Sequence, residues 1–190
     1  MKTFSLILAL AVSITAVAET QTWKIDPNHT ASQFAVKHMG ISTVRGVFEK
    51  TTGEVMFDPA DPSKSSIDVT IDTNSVNTRV QMRDNDLRSP HFFDVAKFPT
   101  ITFKSTHVEA AGSGKLKVTG DLTIHGVTKP VVLDVDGPSQ EIKGPMGDLR
   151  VGANATTKID RKDFGITADP GVIGDEIQIT LDVELTRPAK

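Results

Sequence analysis

Cysteine is absent from the 190 residues. That excludes disulfide staples, thiol nucleophiles and thiolate metal sites. Tyrosine is absent too, and one tryptophan stands against nine phenylalanines. Carbohydrate-binding surfaces lean on Trp and Tyr, which carry a polar tip beside a flat face. A set dominated by Phe offers apolar surface alone and favours a greasy ligand over a sugar. An excess of positive charge is also lacking: 21 basic residues face 24 acidic ones, a net charge of −3. Neither the electrostatic footprint of a nucleic-acid binder nor a polybasic membrane patch is present. No apolar run reaches the length of a comfortable transmembrane helix, so the chain is not expected to span a membrane.

The longest apolar run lies at the start, in MKTFSLILALAVSITAVA. One basic residue, Lys2, precedes the stretch Phe4 to Ile14, and Ala16-Val17-Ala18 comes next as a small-x-small cleavage signal. This is the layout of a secretory signal peptide. It predicts a leader over residues 1–18 and a mature domain over 19–190 that works outside the cytoplasm. The remaining length can bury an ordinary core without covalent staples.

Period-two alternation dominates the chain beyond this leader. Phe34, Val36 and His38 alternate with Gln33, Ala35 and Lys37; Ile67, Val69 and Ile71 alternate with Asp68, Thr70 and Asp72. Similar runs surround Val55 and Phe57, Ile101 and Phe103, Leu122 and Ile124, Leu133 and Val135, Val151 and Ala153, and Ile179 and Leu181. One apolar and one polar face per run is what an antiparallel sheet with one wet side requires. About eight main strands at even spacing, parted by turn signals such as Asp58-Pro59 and Gly112-Ser113-Gly114, predict a barrel or a sandwich. In a barrel, strand phase turns Phe34, Val36, Phe48, Phe57, Val69 and Ile71 inward. It does the same for Phe103, Leu122, Leu133, Ile179 and Leu181. A one-residue slip would reverse any of these strands.

Residues 77–88 break the alternation. NTRVQMRDNDLR predicts a helix over 78–88, capped by Asn77 or Thr78 and stopped at Ser89-Pro90. Arg79 and Arg83 share one of its faces, with Arg88 beside them. They read either as a solvated face or as a clamp for an anionic head group, since the guanidinium fork suits phosphate. The next stretch packs Phe92, Phe93 and Phe98 into seven positions, as a cover for one end of the sheet. His38 continues the inward face of its strand and is placed to meet a ligand head group or to make a structural hydrogen bond, as is His125 for the latter. The histidines show no tight metal spacing, although His29 and His38 could converge with a distant carboxylate; neither a metal nor a cofactor is expected. Asp163-Phe164-Gly165 mimics a kinase motif without the rest of a kinase, and Gly165 marks a bend.

Four blocks carry a resemblance. FAVKHMGISTVRGVFEKTTGEVMFD and LRSPHFFDVAKFPTITFKS resemble the N-terminal and central signatures of the YceI-like polyisoprenoid-binding proteins, and GDLTIHGVTKPVVLDV and IDRKDFGI match two further blocks in order. The resemblance implies a mainly β fold, an eight-stranded antiparallel lipocalin-like barrel with a short helical segment near one end. It also implies an apolar tunnel for an isoprenoid chain such as a polyprenyl phosphate or a quinone tail, or for another long-chain amphiphile. A homodimer, a periplasmic location and no catalytic residue are implied as well.

The favoured reading is a non-catalytic carrier of isoprenoid or long-chain lipid. The alternatives are a secreted β-domain with a packed core that acts through protein–protein contacts, and an enzyme on an isoprenoid substrate. The leader makes the first testable prediction: N-terminal sequencing of exported protein finds Glu19 first, and a mature chain that keeps Lys2 contradicts export by this route.

Overall fold

The computed structural model describes residues 20–189; the expected leader lies outside them. The strands in chain order are β1 (Gln21–Ile25), β2 (Ala31–His38), β3 (Ser42–Phe48), β4 (Thr51–Phe57), β5 (Ser66–Asp72) and β6 (Val76–Asn77), then β7 (Thr100–Ala110), β8 (Lys115–Ile124), β9 (Val127–Asp136), β10 (Ile142–Lys143), β11 (Leu149–Asp160) and β12 (Ile173–Arg187). One α-helix, α1 (Gln81–Arg88), interrupts them between β6 and β7.

These segments make a closed eight-stranded antiparallel barrel. Three of the eight staves are broken at the same level. β12 carries β2 along Ile173–Asp182 and β1 at Leu185–Thr186, both on one edge. β2 then pairs with β3, and β1 with β4; β3 pairs with β6, and β4 with β5. So β1–β2, β3–β4 and β5–β6 are each one stave with a kink. The other staves, β7, β8, β9, β11 and β12, run through unbroken in the ladder. The pairing of β11 with β12, from Leu149 opposite Arg187 to Asp160 opposite Glu176, closes the ring. The seam between β9 and β11 is short, Asp134–Asp136 against Asn154–Thr156, while the other staves are paired along both edges, which limits the free edge that would invite strand addition.

The helix is shorter than the sequence suggests. It begins at Gln81, with Val80 at the N-cap position and no side-chain cap. Thr78 is not the cap because Asp84 reaches back to it: the Thr78 N–H (2.8 Å) and hydroxyl (2.5 Å) both donate to Asp84 Oδ1. The turn between them holds Arg79 at a φ of 65°.

A clasp binds the kink between β1 and β2. The Asn28 N–H donates to Asp26 Oδ1, and His29 Nδ1 lies 2.9 Å from Asp26 Oδ2. From β11, Arg150 Nη1 reaches Glu184 Oε1 at 2.5 Å and Asp26 Oδ2 at 3.5 Å, while its Nε donates to Asp148 at 2.8 Å. The hydrogen bond between them holds His29 above its ordinary 6.5 and Asp26 below its ordinary 3.8. A raised histidine stabilises the fold below its unfolded pKa and stops doing so as pH rises through the folded value. A depressed aspartate stabilises above its unfolded pKa and stops as pH falls through the folded value. Both contributions are therefore complete between 3.8 and 6.5. The stability gap between wild type and His29→Asn, read from urea midpoints, should be widest near about pH 5 and shrink by about pH 9. A gap independent of pH would remove the histidine charge from the clasp.

Candidate functional site

The barrel encloses a cavity of about 1060 Å³. Packed cores hold few voids larger than a water molecule, so the packed-core alternative does not describe this interior. Ligand cavities typically measure about 300–1,000 Å³, and this one lies just above that range.

The wall is apolar because strand phase puts one residue in two inside. Phe34 and Val36 enter from β2, Phe48 from the end of β3, and Phe57 from β4. Val69 and Ile71 enter from β5, Phe103 from β7, Leu122 from β8, Leu133 from β9, and Ile179 and Leu181 from β12. Phe34 and Phe48 stand 5.7 Å apart between ring centroids, and Phe48 and Phe93 stand 5.6 Å apart. These three rings make an aromatic lining under the helix. Glycines keep the lumen open: a Cβ at Gly46 would run into the Phe34 ring, and one at Gly120 into the Phe103 ring. With hydrogen there instead, both rings lie back against the wall. Polar groups inside are few, and Ser32 and Thr51, both buried, satisfy each other through hydroxyls 2.8 Å apart.

The helix end of the cavity is made by α1, the segment after it and the loop before β12. Phe92, Phe93, Arg83, Leu87 and His38 line this end. Arg83 is partly committed: its Nε donates to Thr78 Oγ1 at 2.8 Å and its Nη2 to the Thr78 carbonyl at 3.0 Å. Arg88 donates to the carbonyls of Asn74 and Val76 instead of facing the cavity. Neither His38 nor His125 makes a side-chain hydrogen bond to another described residue; His125 stacks on Phe98 at 4.4 Å.

Two expectations need correction. Arg79 is exposed and stands off the cavity wall, because its left-handed turn precedes the helix and takes it off the face of Arg83. Phe98 does not cover the cavity with Phe92 and Phe93. Its ring fills the space over Gly126, whose φ of 75° and missing Cβ make room for it.

Several wall residues escaped the sequence reading. Val108 is inward although Ile101 and Phe103 have the opposite parity, because a bulge between Ser105 and His107 resets the phase of β7. Trp23, Phe164 and Ile166 also line the cavity. So does Arg161, only 4% exposed. It donates to the carbonyls of Gly174 (3.1 Å), Ile166 (3.2 Å), Ala168 (2.6 Å) and Ile173 (3.1 Å), and its Nη2 lies 3.3 Å from Asp175 Oδ1. Its planar fork thereby pins the loop that borders the cavity.

A metal has one candidate place among the described residues, where His29, Asp26 and Glu184 converge. The Arg150 guanidinium already supplies the cation there, and His38 is elsewhere, on the cavity wall. No polar cluster of described residues in the cavity has the arrangement of a nucleophile with its base.

An apolar cavity inside a closed antiparallel barrel defines a ligand-binding barrel protein. The match to the YceI-like domain model covers residues 23–185, and the chain belongs to that family. A UPF0312 protein of Vibrio cholerae is 42% identical over 163 residues, covering 84% of this chain and 85% of its own. Protein YceI of Salmonella arizonae is 41% identical over 179 residues, 93% of each chain. Among solved structures, BcnA of Burkholderia cenocepacia superposes with a TM-score of 0.77 at 27% identity, covering 84% of this chain and 98% of its own. The YCEI protein of Campylobacter jejuni gives 0.70 at 37% identity, with 80% and 90% covered. A polyisoprenoid-binding domain from Saccharophagus degradans, 18% identical, shares the fold with a TM-score of 0.63 over 90% of this chain and 100% of its own. No described helix is long and apolar enough to cross a membrane.

Replacing Arg161 with Met should cost about 3 kcal/mol, since it leaves buried carbonyls without their donor and takes away one of the two cations beside Asp175, the other being Lys162. Urea unfolding gives the loss, and hydrogen exchange should quicken over residues 165–174. Arg161→Lys should not rescue it, as one ammonium cannot reach four carbonyls. Unchanged exchange in that loop would contradict the pinning role.

Proposed function

We propose that this chain is a non-catalytic periplasmic carrier that holds the hydrocarbon part of an isoprenoid or other long-chain amphiphile in its barrel. The observation that carries this reading is the large cavity with an almost wholly apolar wall. At roughly 30 Å³ per heavy atom, the volume of a water in the liquid, the lumen takes roughly 35 atoms. That is about seven five-carbon isoprene units. Each buried methylene contributes about 0.8 kcal/mol, against about 4–15 kcal/mol for association. A long chain therefore binds and a short acyl chain does not. Support also comes from the family and from the name of the Saccharophagus domain, which is described as polyisoprenoid-binding. Export by the N-terminal leader puts the carrier where such lipids must cross an aqueous space.

The polar head sits at the helix end in this reading, near His38 and Arg83, with Phe92 and Phe93 covering the first part of the chain. Arg83 keeps Nη1 free of the hydrogen bonds that tie its other nitrogens to Thr78. A phosphate head would use it, and a quinone head would not.

The test fills the lumen. Ala155 is buried and faces the cavity from β11. In a packed core, a Phe at such a site costs about 1–3 kcal/mol through overpacking; here it has room. Ala155→Phe should melt no lower than wild type yet lose at least about tenfold in affinity for a long-chain isoprenoid quinone, measured by native mass spectrometry, since it removes space for several methylenes. Wild type that takes up no quinone or polyprenyl phosphate overturns the carrier reading, as does a purified preparation that turns such a lipid over.

A further inference from the structure

Nine large apolar side chains are exposed among the described residues, and five of them gather at the helix end of the barrel. Met39 (60% exposed) and Ile41 (84%) form the tip of the β2–β3 hairpin. Val80 (46%) and Met82 (83%) stand at the start of α1, and Val172 (43%) stands on the loop before β12. The hairpin tip and that loop are joined, since the Met39 N–H donates to the Val172 carbonyl at 2.6 Å. Val80, Met82 and Val172 are exposed and line the cavity at the same time. Apolar surface is thus continuous from the outside of the rim to the lumen.

Unpaired positive charge is present at the same end. Along the barrel wall, lysines lie against carboxylates across strands: Lys24 near Glu54, Lys104 near Asp68, Lys117 near Asp134, Lys158 near Glu176. Lys37 and Arg45, on the hairpin, and Arg79, beside Val80, are exposed and have no described carboxylate within ion-pair distance. Two acids of the rim, Asp86 and Asp169, lie 3.2 and 3.9 Å from His91. The opposite end differs. Ile142 and Met146 are exposed there, and Lys143 is exposed with no described carboxylate within ion-pair distance, but neither Ile142 nor Met146 lines the cavity, which Pro59, Pro138 and Ser139 border at that end.

We infer that the helix end is a docking rim for the surface of an anionic lipid bilayer, through which a long chain passes between membrane and lumen without entering water. This rests on the carrier reading and names where loading occurs. Three free cations match the negative potential of such a surface. Flexible Met side chains suit a disordered hydrocarbon boundary, and apolar residues beside basic ones are the usual means of lying in a membrane interface. Direct passage matters because each methylene exposed to water on the way slows transfer by roughly fourfold.

The experiment is sedimentation of the full mature protein with vesicles of about 30% phosphatidylglycerol in phosphatidylcholine, and with phosphatidylcholine alone, at low salt. Wild type should sediment with the anionic vesicles. Met39→Asp with Ile41→Asp should reduce partitioning at least about tenfold. Lys37→Ala with Arg45→Ala and Arg79→Ala should reduce it about a hundredfold on the anionic vesicles, near fivefold per cation, and change little on neutral ones. Met146→Asp, at the other end, should behave as wild type. Each variant is checked for an unchanged melt and for uptake of a detergent-dispersed isoprenoid quinone. Wild type that stays in solution with both vesicles overturns the inference. So does sedimentation unaffected by the Met39 and Ile41 substitutions, or a loss of self-association without a loss of vesicle binding, which would make the rim a contact between two copies of this chain. Vesicle docking with no quinone uptake by wild type leaves the rim standing and overturns the carrier reading instead.

Discussion

Closure of the barrel by β11 on β12 is the constraint that sets everything else. This ladder is continuous from Leu149–Arg187 to Asp160–Glu176. It fixes the phase of both strands, so Val151, Ala153, Ala155 and Ile159 face Leu185, Val183, Leu181 and Ile177 across the same inner surface. A slip of one residue would turn the row of the shifted strand to solvent. Because β12 also carries β1 and β2 on its other edge, the slip would propagate around half the ring. The ladder therefore sets the width and greasiness of the lumen together.

The two ends of the lumen are finished in different chemistry. At the helix end, a buried arginine fixes a loop, a carboxylate on the helix fixes the turn before it, and short segments carry apolar side chains into solvent. Arg161 and Asp84 each sit inside and each spend their polarity on backbone or hydroxyl groups. That is how charged groups can stand beside a hydrocarbon-lined space without an unpaired burial cost. The aromatic series of Phe34, Phe48 and Phe93 then leads from this end toward the middle. The kinked staves meet that series at the level of Ser32 and Thr51, where the two buried hydroxyls satisfy one another. What remains for a ligand to meet is almost entirely carbon.

Much of this was legible in the residues. Alternation with a period of two names an inner face once one side is known to be apolar, which is why Phe34, Val69, Leu122, Leu133 and Ile179 stand on the wall together. The eight staves were legible as a count, although three are broken, because the alternating runs fall on one half of each broken stave, β2, β4 and β5, and on the five unbroken ones. The misses have local causes. The bulge in β7 leaves no mark in Lys104-Ser105-Thr106-His107, so the inward turn of Val108 could not be read. Asn77 and Thr78 look like caps, but the helix carboxylate six residues on takes the Thr78 donors and turns Arg79 away. Three clustered Phe residues suggest a single cover, yet the left-handed Gly126 opens a slot that only Phe98 reaches. Arg161 carries no signal in its neighbours, because its role as the anchor of a loop rests on the carbonyls of Ile166, Ala168, Ile173 and Gly174. Partners beyond the immediate neighbours, some only a turn or a loop away, decided these, and alternation along the chain does not encode them.

Whether this lumen receives a hydrocarbon chain can be read from within, because the molecule carries its own reporter. Trp23 is the only tryptophan, is 2% exposed and lies on the cavity wall. Its fluorescence should be quenched saturably, at one ligand per chain, by a long-chain amphiphile brominated along its tail, while iodide in the buffer has little effect. Quenching by iodide but not by the brominated chain would contradict a hydrocarbon-holding barrel, because it would mean that water reaches this wall and the ligand does not.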